Sequence, residues 1–258
     1  MVYLTGDTHG DFRRVAVFCD IQETTTNDIL VILGDAGINY QKQEYAAYLK
    51  KQIVELPITL LCVHGNHEAR PQSIPSYHEM AWNGGTVMVE DEYPNILFAI
   101  DGEVYELDGR KALVIGGAFS VDKEYRLMTG HRWFADEQPS PEIKARVEQR
   151  IRELGNRIDL VLSHTCPFHY EPTEMYLTVI DQKVIDTSTE EWLDKIEADL
   201  DYDAWFCGHW HTNKTIDKIH FLLDSVVMLP GTPSAFAELS DDSYPHNTRL
   251  RGDEPDKD

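Results

Sequence analysis

Ile29-Leu30-Val31-Ile32-Leu33-Gly34-Asp35 is an unbroken apolar run that stops on a glycine and a carboxylate. A strand buried on both faces reads this way, without alternation. The same pattern recurs on either side of it. Val2-Tyr3-Leu4 leads to Gly6-Asp7-Thr8-His9, and Ile58 to Val63 leads to Gly65-Asn66-His67-Glu68. The intervening stretches have helical spacing. Asp11 to Ile21 sets Val15 and Phe18 on one face, and Tyr45, Tyr48, Leu49 and Ile53 recur at helix period. The order β-α-β-α-β implies a parallel sheet with right-handed crossovers, hence an α/β fold.

Further along, Ile158 to Leu162 runs into Ser163-His164, and Ala204 to Cys207 runs into Gly208-His209-Trp210-His211. Ile96 to Ile100, Val104 to Leu107 and Leu113 to Ile115 are predicted strands of a second sheet. Residues 117–140 show no clear period. Ser140-Pro141 opens a helix with Ile143, Val147, Ile151 and Leu154 on one face. Ser188-x-x-Glu191 reads as a capping box for a helix through Leu200. Phe221 to Leu223 and Val226 to Leu229 are predicted to pair as the last two strands. From Glu238 the composition turns polar and acidic. The expected organisation is one domain over 1–237 and an acidic tail over 238–258 without a core of its own.

The chain has 258 residues, 42% of them hydrophobic, enough for one large core. Asp and Glu number 45 against 23 Lys and Arg, a formal charge of −22. Such a surface repels nucleic acid and anionic membrane, so no extended nucleic-acid surface is expected. Cys19, Cys62, Cys166 and Cys207 form no C-x-x-C, and free thiols in a reducing compartment are expected. Met1 leads directly into a strand, so no signal peptide is expected. No apolar run approaches the roughly 20 residues that span a bilayer. These features together predict a cytoplasmic location.

Asp, His and Asn side chains thus stand at five places, each just past a predicted strand. Ligand groups converge at such strand ends in α/β sheets. Imidazoles and carboxylates with one amide oxygen suit manganese, iron or zinc. Any one of these segments also fits an ordinary turn. Their joint placement does not, and it predicts two ions sharing a carboxylate, the equipment of two-metal phosphoester hydrolysis.

The pattern D-x-H, G-D, G-N-H-E, an isolated His and G-H-x-H resembles the calcineurin-like metallophosphoesterase superfamily over residues 1 to about 235. The resemblance implies a four-layered α/β/β/α sandwich. It implies that Asp7, His9 and His211 bind one metal and that Asn66, His164 and His209 bind the other, with Asp35 bridging. It implies His67 as the proton donor to the leaving oxygen. The expected cofactors are two divalent ions, manganese first, with iron or zinc as alternatives. The expected chemistry is attack on a phosphate ester by a hydroxide bridging the ions. A nuclease of the same fold and a non-catalytic scaffold are the alternatives.

Gly6-Asp7-Thr8-His9-Gly10 and Gly65-Asn66-His67-Glu68-Ala69-Arg70 resemble the Ser/Thr protein phosphatase branch. That branch has G-D-x-V-D-R-G, where this chain has Gly34-Asp35-Ala36-Gly37-Ile38-Asn39-Tyr40. Ile38 and Asn39 stand where the branch has an Asp that orients the catalytic His and an Arg that holds phosphate. Arg70, Lys123, Arg126 and Arg132 are candidates to supply the missing cation, with Arg70 and Arg126 as the predicted substrate-binding residues.

Overall fold

The computed structural model describes residues 1–177 and 182–229, together with the backbone of Glu238–Leu239. In chain order these residues form β1 Val2–Thr5, α1 Arg13–Gln22, β2 Ile29–Ile32, α2 Gln43–Ile53 and β3 Thr59–Cys62. A hairpin follows, β4 His78–Trp82 and β5 Gly85–Val89, then β6 Ile96–Ala99, β7 Val104–Leu107 and β8 Arg110–Ile115. Next come α3 Lys123–Thr129, α4 Pro141–Glu153, β9 Arg157–Ser163, α5 Ser188–Asp199 and β10 Asp201–Cys207. The short strands β11 Lys214–Ile216, β12 Ile219–Phe221, β13 Val226–Met228 and β14 Glu238–Leu239 complete the series.

Two sheets result. One has the order β14-β13-β1-β2-β3-β6-β5-β4, and the other β11-β12-β10-β9-β8-β7. Strands β1, β2, β3 and β6 pair in parallel, as do β8, β9, β10 and β12. Antiparallel strands finish the edges of both sheets.

Side-chain alternation stacks these sheets. Val2, Leu4, Val31, Leu33, Leu61 and Val63 share a buried cluster with Ala112, Val114, Leu160, Leu162, Ala204 and Phe206. That cluster is the layer between the sheets. The alternate residues face outward into helices: Tyr3, Leu30, Ile32 and Leu60 pack with Phe18 of α1 and Leu49 of α2. On the far side Leu113, Val161 and Trp205 pack with Val147 of α4 and Trp192 and Leu193 of α5. Three apolar layers separate four layers of structure, so the fold is the expected α/β/β/α sandwich. Each fully buried leucine in it contributes about 1.5–3 kcal/mol of transfer free energy.

The structure corrects several sequence expectations. Strand β6 joins the first sheet, and only β7 and β8 start the second. The β4–β5 hairpin and the helix α3 had no prediction. Strands β12 and β13 do not pair with each other. The first lies beside β10 and the second beside β1, so residues 222–225 carry the chain from one sheet to the other. Ser188 is the first helical residue of α5 and not its cap; Thr187 takes the cap position, with no side-chain cap bond. Ser140 does cap α4, its hydroxyl accepting from Ile143 N–H. The expected tail begins inside β14, which pairs with β13; residues 240–258 lie outside the described part. Among the described residues, no helix is long and apolar enough to cross a membrane.

Candidate metal centre

The chemistry-bearing side chains sit in the loops just past the parallel strands. Asp7 and His9 follow β1, Asp35 follows β2, Asn66 and His67 follow β3, His164 follows β9, and His209 and His211 follow β10. Both sheets therefore deliver residues to one edge. The loops are wound tightly to do so. His9, Asp35, His209 and His211 all have left-handed backbones, with φ of 48°, 47°, 64° and 48°. Each such residue costs on the order of 1–3 kcal/mol, and such strain clusters at functional sites. Gly34, at φ 93°, lies so close to the His164 ring that a Cβ there would overlap it. Glycine is what lets the second sheet's histidine reach the first sheet's carboxylate.

Two groups of side chains form. In the first, Asp7 Oδ2 lies 3.3 Å from His211 Nε2 and 3.7 Å from His9 Nε2, and the two imidazole Nε2 atoms face each other at 3.1 Å. In the second, His164 Nε2 is 2.8 Å from Asn66 Oδ1 and 3.7 Å from Asp35 Oδ1, and His209 Nδ1 is 3.1 Å from Asn66 Oδ1. Asp35 faces both groups, with Oδ2 3.9 Å from His9 Nδ1. Backbone N–H groups fix the carboxylates. His209 N donates to Asp7 Oδ1 at 3.0 Å, and His67 N to Asp35 Oδ1 at 2.7 Å.

This donor set fits a divalent cation better than it fits itself. His164 Nδ1 is 2.8 Å from Leu33 O, which can only accept, so Nδ1 carries the proton. With Nδ1 so engaged, Nε2 is the ring nitrogen left to face Asn66 Oδ1. That oxygen is held inward because the Asn66 amide nitrogen donates to Ser120 Oγ at 2.8 Å. Two acceptors at hydrogen-bond distance repel unless a cation lies by them. Asp7 Oδ2 is likewise buried without a well-formed hydrogen bond among the described residues. Among the described residues, three overlapping sets hold one donor atom per residue within 4.8 Å of one another: Asp7/His9/His211, Asp7/Asp35/His164 and His9/Asp35/His67.

The electrostatics agree. Burial raises the Asp35 carboxyl, and the Asp7 charge adds to that against the pull of His164. Burial also works to raise Asp7, but His211, His164 and His9 hold it below the ordinary range. Burial and His164 push His209 down to about 3, a neutral ring with a lone pair to offer. His211 is raised by its contact with Asp7.

His67 occupies the next position outward, its ring 5.2 Å from that of His9. Both its ring nitrogens contact Arg126 Nη2. Arg126 is buried within α3, its Nε donating to Asp122 Oδ2 at 2.8 Å and its guanidinium 5.7 Å from the Tyr40 ring. Burial, then the Arg126 charge, push His67 down to about 2. Asp122 Oδ1 is 4.0 Å from His67 Nε2. His9, Tyr40, His67 and Arg126 line a cavity of about 270 Å³.

The other candidate cations lie elsewhere. Arg70 donates to Asp101 Oδ2 at 2.6 Å and to Asp136 O at 2.9 Å, and it lines neither the 270 Å³ cavity nor the larger one beside the cradle. Lys123 lies over the Trp133 ring at 4.2 Å, and Arg132 pins the carbonyls of Tyr40 and Gln41. Ile38 is fully buried in the helix-side core and Asn39 bonds Tyr77, so neither reaches the site. Ser120, Asp122 and Tyr40 had no sequence prediction. Ser120 and Asp122 meet the site across a long sequence gap, from a stretch without periodicity.

A family model described as calcineurin-like phosphoesterase matches residues 1–213. The chain belongs to the calcineurin-like phosphoesterase family. That family carries out metal-dependent phosphoester hydrolysis, and the cluster at the sheet edges matches its need for divalent metal ligands. No curated protein matches the chain. One solved crystal structure aligns over 92% of this chain and 94% of its own, at 12% identity and TM-score 0.48. A protein of unknown function from Aquifex aeolicus aligns over 66% and 81%, at 16% identity and TM-score 0.31.

Proposed function

We propose that the chain hydrolyses a phosphate ester at a dinuclear site. Asp7, His9 and His211 hold one divalent ion, Asn66, His164 and His209 hold the other, and Asp35 bridges. The observation that carries this reading is the facing of lone pairs within the cradle. His164 Nε2 meets Asn66 Oδ1 at 2.8 Å, and a buried Asp7 oxygen lacks a good partner. When bound, two such cations supply charge neutralisation and a nucleophile at neutral pH. The donor mixture favours manganese, with iron or zinc as alternatives.

The chain's own residues do the rest. The 270 Å³ cavity beside His9 and His67 is of a size for a phosphoryl group, and Arg126 and His67 line it. A guanidinium fork matches phosphate oxygens, which makes Arg126 the replacement for the arginine absent at Asn39. Arg70 is spent on Asp101 and is not needed for this role. In the free protein His67 is neutral, because burial and Arg126 both disfavour its charge. A phosphate dianion in the cavity beside them opposes the guanidinium and returns proton affinity to the imidazole. With the ester bound, His67 takes up a proton from solvent. As a bond from water oxygen to phosphorus forms and the bond to the ester oxygen breaks, the water's proton passes to solvent and the His67 imidazolium protonates the departing alkoxide, ending as the neutral ring.

Four free, buried cysteines support a reducing, cytoplasmic setting. The test of the function is a screen of purified protein with Mn²⁺ against monoesters, diesters, phosphopeptides and nucleotides. The expected result is metal-dependent release of phosphate or alcohol from at least one class, abolished by Asp35→Asn. Turnover of none, or turnover that survives Asp35→Asn, would contradict the reading.

A further inference from the structure

On the other side of His67 a second cavity of about 750 Å³ opens directly off the metal cradle, with Asp35, Asn66, His67, His209 and His211 at its inner end. Its walls change character away from that end. They are made by Phe119, Val121, Phe168, Met175, Tyr176 and Trp210. Tyr176 and Trp210 stack with ring centroids 6.0 Å apart, forming a flat apolar face. Val121, Phe168 and Met175 remain 42%, 43% and 37% exposed, more than packing alone calls for in large apolar side chains. The charged groups beyond the cradle are mostly acidic: Asp122, Glu171, Asp186 and Glu190, against Lys183.

Glu190 is the telling member. It is 4% exposed, lines this cavity, and its Oε2 has no hydrogen-bond partner among the described residues. A buried carboxyl oxygen without a donor is costly, and it is an acceptor waiting for one. Apolar walls offer a second phosphate no donor, and Asp122 and Asp186 oppose its charge, so nucleoside polyphosphates do not suit the space.

We infer that this cavity seats the alcohol half of the ester, and that it selects a bulky, apolar alcohol bearing an amine or hydroxyl that donates to Glu190. The inference rests on the phosphoesterase reading for the position of the phosphate, and it adds what lies beyond the scissile bond. Burial of an added ring in such a pocket is worth about tenfold or more in discrimination.

Two measurements test it. The first compares 2-naphthyl phosphate with phenyl phosphate, esters of alcohols of similar acidity, within each protein. The wild-type chain is expected to prefer the naphthyl ester by about tenfold in kcat/KM, and Phe168→Ser with Met175→Ser to bring that ratio to about one. An equal rate on both esters in the wild type, or a preference that survives the double variant, overturns the inference. The second measures calorimetric binding of 2-naphthylmethylamine, which has no phosphate. Saturable binding weakened about tenfold by Glu190→Gln supports the assignment, in line with loss of a charge-assisted hydrogen bond. Absent binding, or binding indifferent to Glu190→Gln, overturns it. Hydrolysis of no ester with amine binding intact would count against the phosphoesterase reading and not against the cavity.

Discussion

His67 differs from its neighbours in the cradle because it has a cation against its ring. It lies between His9 and Arg126, and by distance alone it joins His9 and Asp35 in a set able to hold a metal. Its proposed role as proton donor makes the effect of its loss depend on the leaving group. A nitrophenolate departs without a proton; an alkyl alkoxide does not. His67→Asn is expected to keep both metals and to lose about 10²–10⁴ in rate on an alkyl phosphate. Loss on a p-nitrophenyl ester should be far smaller. The measurement is the variant-to-wild-type rate ratio on the two esters at equal metal content. Equal losses would assign His67 to phosphate binding, and loss of metal would make it a ligand. Glu190 allows a separate test at the same scale. Burial foremost, with Glu171 and Asp186 adding, raises its carboxyl to about 7 from an ordinary 4.5. A raised carboxyl means that the folded protein binds the proton more tightly than the unfolded chain. Stability is therefore lost as pH rises from about 4.5 to about 7, by roughly 3 kcal/mol at most. Glu190→Gln should remove that slope. Melting curves at pH 5 and pH 8 should differ less in the variant than in the wild type.

Among the elements, α4 is the one whose ends are most openly written. Ser140 accepts from Ile143 N–H at 3.3 Å, Pro141 takes the first helical position, and Val147 and Ile151 face the sheet. Ser140→Ala should cost about 1 kcal/mol, which lowers the melting temperature by about 2–4 °C in a domain of this size. A null effect in thermal denaturation would mean the cap is replaced by water. The same local grammar made the central strands legible. Runs such as Leu30 to Leu33 are apolar on both faces because a sheet lies under one and helices over the other. It failed where no such sandwiching exists. Strand β4 has no buried residue, so its pattern carries little signal. Helix α3 exposes Tyr125, Leu127 and Met128 and buries Arg126, the reverse of an amphipathic stripe. Besides Asp122 on its own helix, Arg126 meets Tyr40 and His67, the latter 59 residues earlier, and no local window contains these partners.

At the scale of the whole molecule, the sandwich matters because two sheets end at one edge. β1, β2 and β3 bring Asp7, Asp35 and Asn66 from one side, and β9 and β10 bring His164 and His209 from the other. All seven expected ligands meet there, because sequence order places each one just past a strand and the topology places those strand ends together. What lay beyond the sequence was part of the surround: the cavity wall at Phe119 and Val121 comes from a stretch without a period. In the proposed dinuclear site both ions depend on Asp35, and metal counting tests this most directly. Purified protein loaded with Mn²⁺ and stripped of loose ions should carry about two ions per chain. His9→Ala should lower that toward one, and Asp35→Asn should lower it below one. A wild-type content that stays below one ion per chain, or a content of two that Asp35→Asn leaves intact, would contradict the dinuclear site.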